Sequence, residues 1–180
     1  MARVIILWIT YLATLLAVLN IVVSSSTSET AQPEPSGTLY TGVFLTKTSH
    51  ELLLDYWNQS VGVTGDLGKI YADHMTLQYK PTKAEVLALP LGKRVSIYAF
   101  LWASDGDSCE GVQVYSPNIK SNNTYSHCTV STSNSTGAVC TNSILERVHN
   151  GSEGVSFGYF TEPLQLYGCI DTRPQSSGKC

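Results

Sequence analysis

No cysteine occurs before Cys109, so residues 27–108 must fold without a covalent cross-link. The five cysteines, Cys109, Cys128, Cys140, Cys169 and Cys180, include no CxxC pair, and the four histidines are scattered along the chain. Those spacings argue against a zinc site or a dithiol redox motif, and no metal or other cofactor is expected. There is no GxSxG elbow and no HExxH helix, the signatures of two large hydrolase classes. The segment GVTGDLGK has the glycines of a phosphate loop but not the GxxxxGK[ST] order, with Ile70 following the lysine. Basic clusters are missing too, which argues against nucleic acid and anionic membrane surfaces as partners. No internal repeat and no apolar C-terminal tail are evident, so neither a solenoid nor a lipid-anchor signal is indicated.

What the chain does have is an apolar run from Val4 to Val23 behind Arg3, followed at once by Ser24, Ser25 and Ser26. A basic start, an apolar middle and a small-residue exit read as a secretory signal peptide, here residues 1–25. An uncleaved anchor is the competing reading, since a membrane span needs about 20 apolar residues; Thr10, Thr14 and Asn20 dilute the run. Four sequons follow, at Asn58, Asn122, Asn134 and Asn150, none with proline in the middle position. The cysteines fit the same compartment as a disulfide framework. Five is an odd number, so one thiol is left over, and it could join two copies of the chain. Removing residues 1–25 takes away only Arg3 among the charged residues, leaving 10 Lys+Arg against 14 Asp+Glu and a net charge of about −4. Secretion to the extracellular space, without membrane attachment after cleavage, is the expectation.

Residues 26–37 are Ser/Thr/Glu/Pro-rich and read as a flexible N-terminal segment, leaving 38–180 as one secreted domain. Leu39–Thr46 suggests a first strand with Gly42 as a bulge. Thr48-Ser49-His50-Glu51 fits a capping box opening a helix to about Gln59. Met75, Leu77 and Tyr79 alternate with polar residues, the period of a half-buried strand. Thr82 and Glu85 repeat the capping-box spacing over a short helix ending before Pro90. Arg94–Ser104 is apolar on both faces and reads as a central strand. Asp105–Ser108 turns it into a partner at Gly111–Tyr115. Further strands are indicated at 125–132, 138–141, 155–160 and 164–170. The fold class is therefore mainly β with two short helices, an antiparallel sandwich or barrel stabilised by disulfides.

Catalytic, cofactor-binding and metal-ligating residues are not indicated, and the chain reads as no enzyme. His50, His74, His127 and His149 could each act as a general base, yet the sequence shows no partner for any of them. Asp105 and Asp107 lack the further acidic ligands of a calcium loop and read as a turn. The resulting expectation is a secreted non-enzymatic glycoprotein that binds an extracellular or cell-surface protein. One alternative is a small-ligand carrier of lipocalin-like barrel type with Tyr98, Phe100 and Trp102 lining a cavity. A secreted hydrolase whose residues converge only in space is the other. The stretches Lys80–Val86 leading into Leu89–Arg94, and Leu166-Tyr167-Gly168-Cys169, resemble secreted salivary glycoproteins of blood-feeding arthropods, in particular the p36 immunosuppressant type of ticks. That resemblance implies suppression of host immune responses and assigns no functional residue.

Overall fold

The computed structural model describes residues 36–61 and 67–174. The signal segment, most of the N-terminal segment, Gly62, Gly65 and Cys180 lie outside these. The described residues belong to one unit, Pro33–Cys180.

Seven strands form one antiparallel sheet: β1 (Tyr40–Leu45), β2 (Gly68–Ile70), β3 (His74–Tyr79), β4 (Arg94–Ser104), β5 (Cys109–Tyr115), β6 (His127–Ser133) and β7 (Ser156–Arg173). Their order across the sheet is β2-β6-β5-β4-β7-β1-β3. This order has a geometric consequence. Strands β2 and β3 stand at opposite ends, yet only Tyr71, Ala72 and Asp73 separate them in the chain. A span that short cannot cross a flat seven-stranded sheet, whose neighbouring strands lie about 4.8 Å apart, so the sheet curls until its ends meet. The junction is hydrogen-bonded: Tyr71 N–H donates to Val130 O and Ala72 N–H to Thr129 O, both at 2.8 Å. Ala72 sits at φ 48°, left-handed backbone that a residue with a Cβ adopts at a cost and only where its surroundings impose it.

The bulge expected at Gly42 is present, as a register shift against β3. Strand β4 is central, paired with β5 and β7, but only one face is fully buried: Val95, Ile97 and Ala99 are in the core while Ser96, Tyr98 and Phe100 are half-buried. Tyr98 and Phe100 lie against Tyr115 (5.2 and 6.0 Å) and Trp102 lies edge-on to Trp57 (6.3 Å), so these aromatics pack on their neighbours rather than line a carrier cavity. The two strands read at 155–160 and 164–170 are one, β7. Its pairing with β4 jumps from Tyr159 to Leu164, so Phe160–Pro163 leaves the ladder as a bulge whose Phe160 packs into the core. A bulge is where a strand tolerates proline, which has no N–H for the ladder.

Helix α1 (Lys47–Tyr56) is capped by Thr46, whose hydroxyl accepts from Ser49 N–H, and not by Thr48. Strand β1 ends at Leu45, which makes Thr46 the first residue released from the sheet in the extended conformation a cap needs. Leu53 and Trp57, four residues apart, are fully buried in the main core. Helix α2 (Lys83–Ala88) has the expected Thr82/Glu85 capping box. Helix α3 (Cys140–His149) replaces the strand expected at 138–141. Its Thr141, Ile144 and Leu145 recur at helical spacing and are buried, and Ile144 and Leu145 pack with Leu101, Ala103 and Cys109 as a second core cluster.

A disulfide joins Cys109, at the start of β5, to Cys140, at the start of α3. Cys169 is disulfide-bonded as well. Cys128, among the disulfide candidates, is instead a free thiol, and it is fully buried. Burial, then the Asp73 charge, pushes its thiol pKa far up, so it stays protonated and cannot cross-link two folded copies. The Cys109–Cys140 bridge spans a sequence separation of 31 residues. On the chain-entropy model, a loop of that size contributes about 3.7 kcal/mol. Replacing both cysteines by alanine is expected to lower the unfolding free energy in urea by about that amount. A loss under about 1 kcal/mol would show that the bridge adds little beyond the packing of α3.

Candidate functional site

The curl of the sheet juxtaposes two copies of one short pattern. On β3 the chain reads His74-Met75-Thr76-Leu77, and on β6 it reads His127-Cys128-Thr129-Val130. Side chains alternate across a strand, so each histidine shares a face with the threonine two residues on. Met75, Leu77, Cys128 and Val130 all lie in the main core. His74, Thr76, His127 and Thr129 line a pocket of about 720 Å³ between the two strands. That volume lies within the range of small-molecule and cofactor sites.

Each ring is held through its Nδ1. His74 Nδ1 lies 2.6 Å from Asp73 Oδ1, and a carboxylate can only accept, so Nδ1 carries the proton. Burial alone would raise the Asp73 carboxyl pKa. The His74 hydrogen bond, with the charges of His74 and Arg173, outweighs burial and holds it below the ordinary carboxylate value. Arg173 reaches Asp73 Oδ2 at 3.7 Å and lies over the Phe44 ring at 4.3 Å. Tyr40 and Phe44 stack on the His74 ring at 5.0 and 5.5 Å, which fixes its plane. His127 Nδ1 lies 2.7 Å from Tyr125 O, a carbonyl, so it too carries the proton. Nε2 is then the basic nitrogen of a neutral ring. Burial lowers the His127 pKa below the ordinary histidine value; the Tyr125 hydrogen bond works against this and the charge of His74 adds to it.

The remaining wall suits a flat organic ligand. Tyr40, Tyr71 and Tyr79 line it with Leu39 and Val139, and Asn123 and Asn142 supply amides. Asn123 belongs to a loop pinned to β3, where Ser121 Oγ donates to Thr76 O and Asn122 N–H to Leu77 O, both at 2.7 Å. Burial raises the Tyr40 phenol pKa, and Arg173 offsets only part of the rise, so the hydroxyl remains a donor.

Of the four histidines, the fold brings together His74 and His127 and leaves the other two outside the pocket. His50 Nδ1 bonds Ala72 O at 2.9 Å, supporting the strained junction from α1. His149 stacks on Tyr125 at 4.3 Å and bonds Gln113 through Nε2. The sequon residues Asn58, Asn122, Asn134 and Asn150 are all exposed. The Asp105 side chain accepts from Ser108 and Cys109 N–H at 2.8 Å, closing a turn. Among the described residues no three His, Cys, Asp or Glu side chains converge as a metal site, and no helix is long and apolar enough to cross a membrane.

The paired pattern was present in the sequence as His-x-Thr followed by an aliphatic residue, occurring twice, each time within a strand-like stretch. It is too short to stand out as an internal repeat, because only three positions recur.

Neither the family models nor the curated proteins give a match to the chain. Among solved structures, the crystal structure of a fungal RNA kinase is similar in fold, with a TM-score of 0.59 at 17% identity over 78% of this chain. The match spans 46% of the kinase chain, less than half its length. This likeness corrects two expectations drawn from the sequence, that the chain is no enzyme and that it is a non-enzymatic binder suppressing host immune responses. The matched architecture forms part of a chain named as an RNA kinase.

Proposed function

We propose that the pocket is the active site of a secreted phosphodiesterase that hydrolyses a nucleotide-type phosphodiester by general acid–base catalysis. The observation that carries this reading is the pair of His-x-Thr patterns facing one pocket from β3 and β6. Two imidazoles with their Nδ1 protons committed to fixed acceptors present two Nε2 atoms to a substrate between them. His127, buried and neutral, acts as the base: Nε2 takes a proton from water as the water oxygen attacks phosphorus. His74, with the Asp73 carboxylate as counter-ion for its protonated ring, gives its Nε2 proton to the departing ribose oxygen. One P–O bond forms and one breaks, and the two rings exchange protonation states. The hydroxyls of Thr76 and Thr129 donate to the non-bridging phosphate oxygens, where charge builds up. The three tyrosines offer stacking faces for a base.

RNA as the source of the substrate is supported by what the similar structure's protein acts on. A small nucleotide or an RNA end needs no basic track, which agrees with the mildly acidic chain. The signal segment and the sequons support a secreted, glycosylated enzyme.

The test is hydrolysis of nucleoside 2′,3′-cyclic phosphates, followed by ³¹P NMR. Turnover of the wild type that disappears in His74→Ala is the expected result, and a silent wild type would overturn the reading. The pH profile adds a sign. His127 must be unprotonated to act, and its folded pKa lies below the ordinary value of about 6.5. The acid limb of kcat/KM is therefore expected below pH ~6.5, with activity persisting until the pH falls through that lowered pKa. Stability follows the same sign. The unfolded ring takes up a proton near pH ~6.5 that the folded ring refuses, so stability is full above that pH and declines below it.

A further inference from the structure

We infer that Thr141, at the start of α3, is a positioning residue that sets the direction of the Thr129 hydroxyl proton. The inference rests on the phosphodiesterase reading above. Thr129 Oγ1 lies 2.9 Å from Ala138 O and 2.9 Å from Thr141 Oγ1. A hydroxyl has one proton to give. If Thr129 gave it to Thr141, no donor would remain for a phosphate oxygen. The structure decides against that direction. Thr141 is fully buried, and its Oγ1 has one other neighbour of hydrogen-bonding type, Cys109 Sγ at 3.7 Å. That sulfur is in the disulfide with Cys140, carries no proton and accepts only weakly. The Thr141 proton therefore goes to the better acceptor, Thr129 Oγ1. Thr129 in turn gives its own proton to Ala138 O, and to a phosphate oxygen when one arrives. A hydroxyl that already accepts a hydrogen bond is also the stronger donor.

Two features hold Thr141 in place. Its chain neighbour Cys140 is bridged to β5, so the start of the helix is fixed to the sheet. Position 111, beside Thr141 on β5, is glycine, and a Cβ there would collide with the Thr141 methyl group. The disulfide thus acts twice, by anchoring the helix and by removing a competing S–H donor.

The test is a double-mutant cycle on hydrolysis of adenosine 2′,3′-cyclic phosphate. Thr141→Val keeps the shape and removes the hydroxyl. It is expected to lower kcat about fivefold to tenfold, the scale of one neutral hydrogen bond, with KM changed less than twofold. Thr141→Ser should restore the rate. In a Thr129→Val background, Thr141→Val should have no further effect, because the proton it directs is gone; a merely structural role would give additive losses. Thr141→Ala removes the same hydroxyl without placing a methyl against the sulfur, and serves if the valine variant does not fold. Wild-type kinetics in Thr141→Ala or Thr141→Val, or additive losses, overturn the inference while the phosphodiesterase reading stands. A wild type that does not turn over the substrate overturns both, and is recognised by its own silence.

Discussion

His127→Ala should lower kcat/KM for a nucleoside 2′,3′-cyclic phosphate by about 10³-fold, within the range of roughly 10²–10⁴ for loss of a positioned acid or base. His74→Ala should fall in the same range, and the double variant should be little worse than either single one, because the two rings act as a unit within one step. The variants differ in pH behaviour. His127→Ala removes the acid limb, since the group whose lowered pKa sets that limb is gone. Asp73→Asn leaves a neutral acceptor beside His74 Nδ1 but takes away the counter-ion and the definite tautomer, so a smaller loss carried by kcat is expected. None of these changes should unfold the protein. His74 is half-buried, and His127 is buried in an unfavourable setting for charge, so removing it relieves desolvation while leaving a cavity of one ring. Stopped-time assays with circular dichroism on the same samples check both points. Single variants within threefold of wild type would show that the histidines line the pocket without taking part in the chemistry.

How much of this was legible in the sequence depends on the range of the interaction. Strand β3 was readable because Met75 and Leu77 alternate with polar neighbours, and the α2 cap because Thr82 and Glu85 are three residues apart. Helix α3 is hidden in the sequence: its stripe of Thr141, Ile144 and Leu145 begins directly after a Ser/Thr/Asn-rich turn and a glycine. Local composition there favours turn and strand, and burial against β5 overrides it. The β7 bulge looks like a gap in the sequence because Pro163 resembles a strand breaker; the register has the chain leaving the ladder and returning. The site was legible only in its parts. His74 and His127 are 53 positions apart, and what joins them is the order of strands in the sheet, fixed by the three-residue link between β2 and β3. No local signal carries that order. The repeated His-x-Thr was the one available clue, and its force comes from both copies standing on strands, where a spacing of two puts histidine and threonine on one face.

Thr76→Val and Thr129→Val should each cost about 10²–10³ in kcat, the scale measured when one donor to a developing oxyanion is removed. Valine retains the branched shape and the strand preference of threonine, so the β3 and β6 ladders persist. The two positions differ in what is left behind. Among the described residues the Thr76 hydroxyl has no hydrogen-bond partner, whereas Thr129→Val takes one donor from the Ala138 carbonyl and the acceptor from the fully buried Thr141 hydroxyl. A stability loss on the order of 1–3 kcal/mol is expected for Thr129→Val, the cost of the buried Thr141 hydroxyl left without its acceptor, and none for Thr76→Val. The division between kcat and KM decides the role of the hydroxyls. Donors aimed at phosphate oxygens act hardest where those oxygens gain charge, so the loss should appear in kcat, while inhibition by inorganic phosphate, a ground-state probe, weakens far less. Losses confined to KM, with phosphate inhibition weakened in step, would mean that the threonines hold substrate and transition state alike and that the acceleration resides in the histidine pair alone.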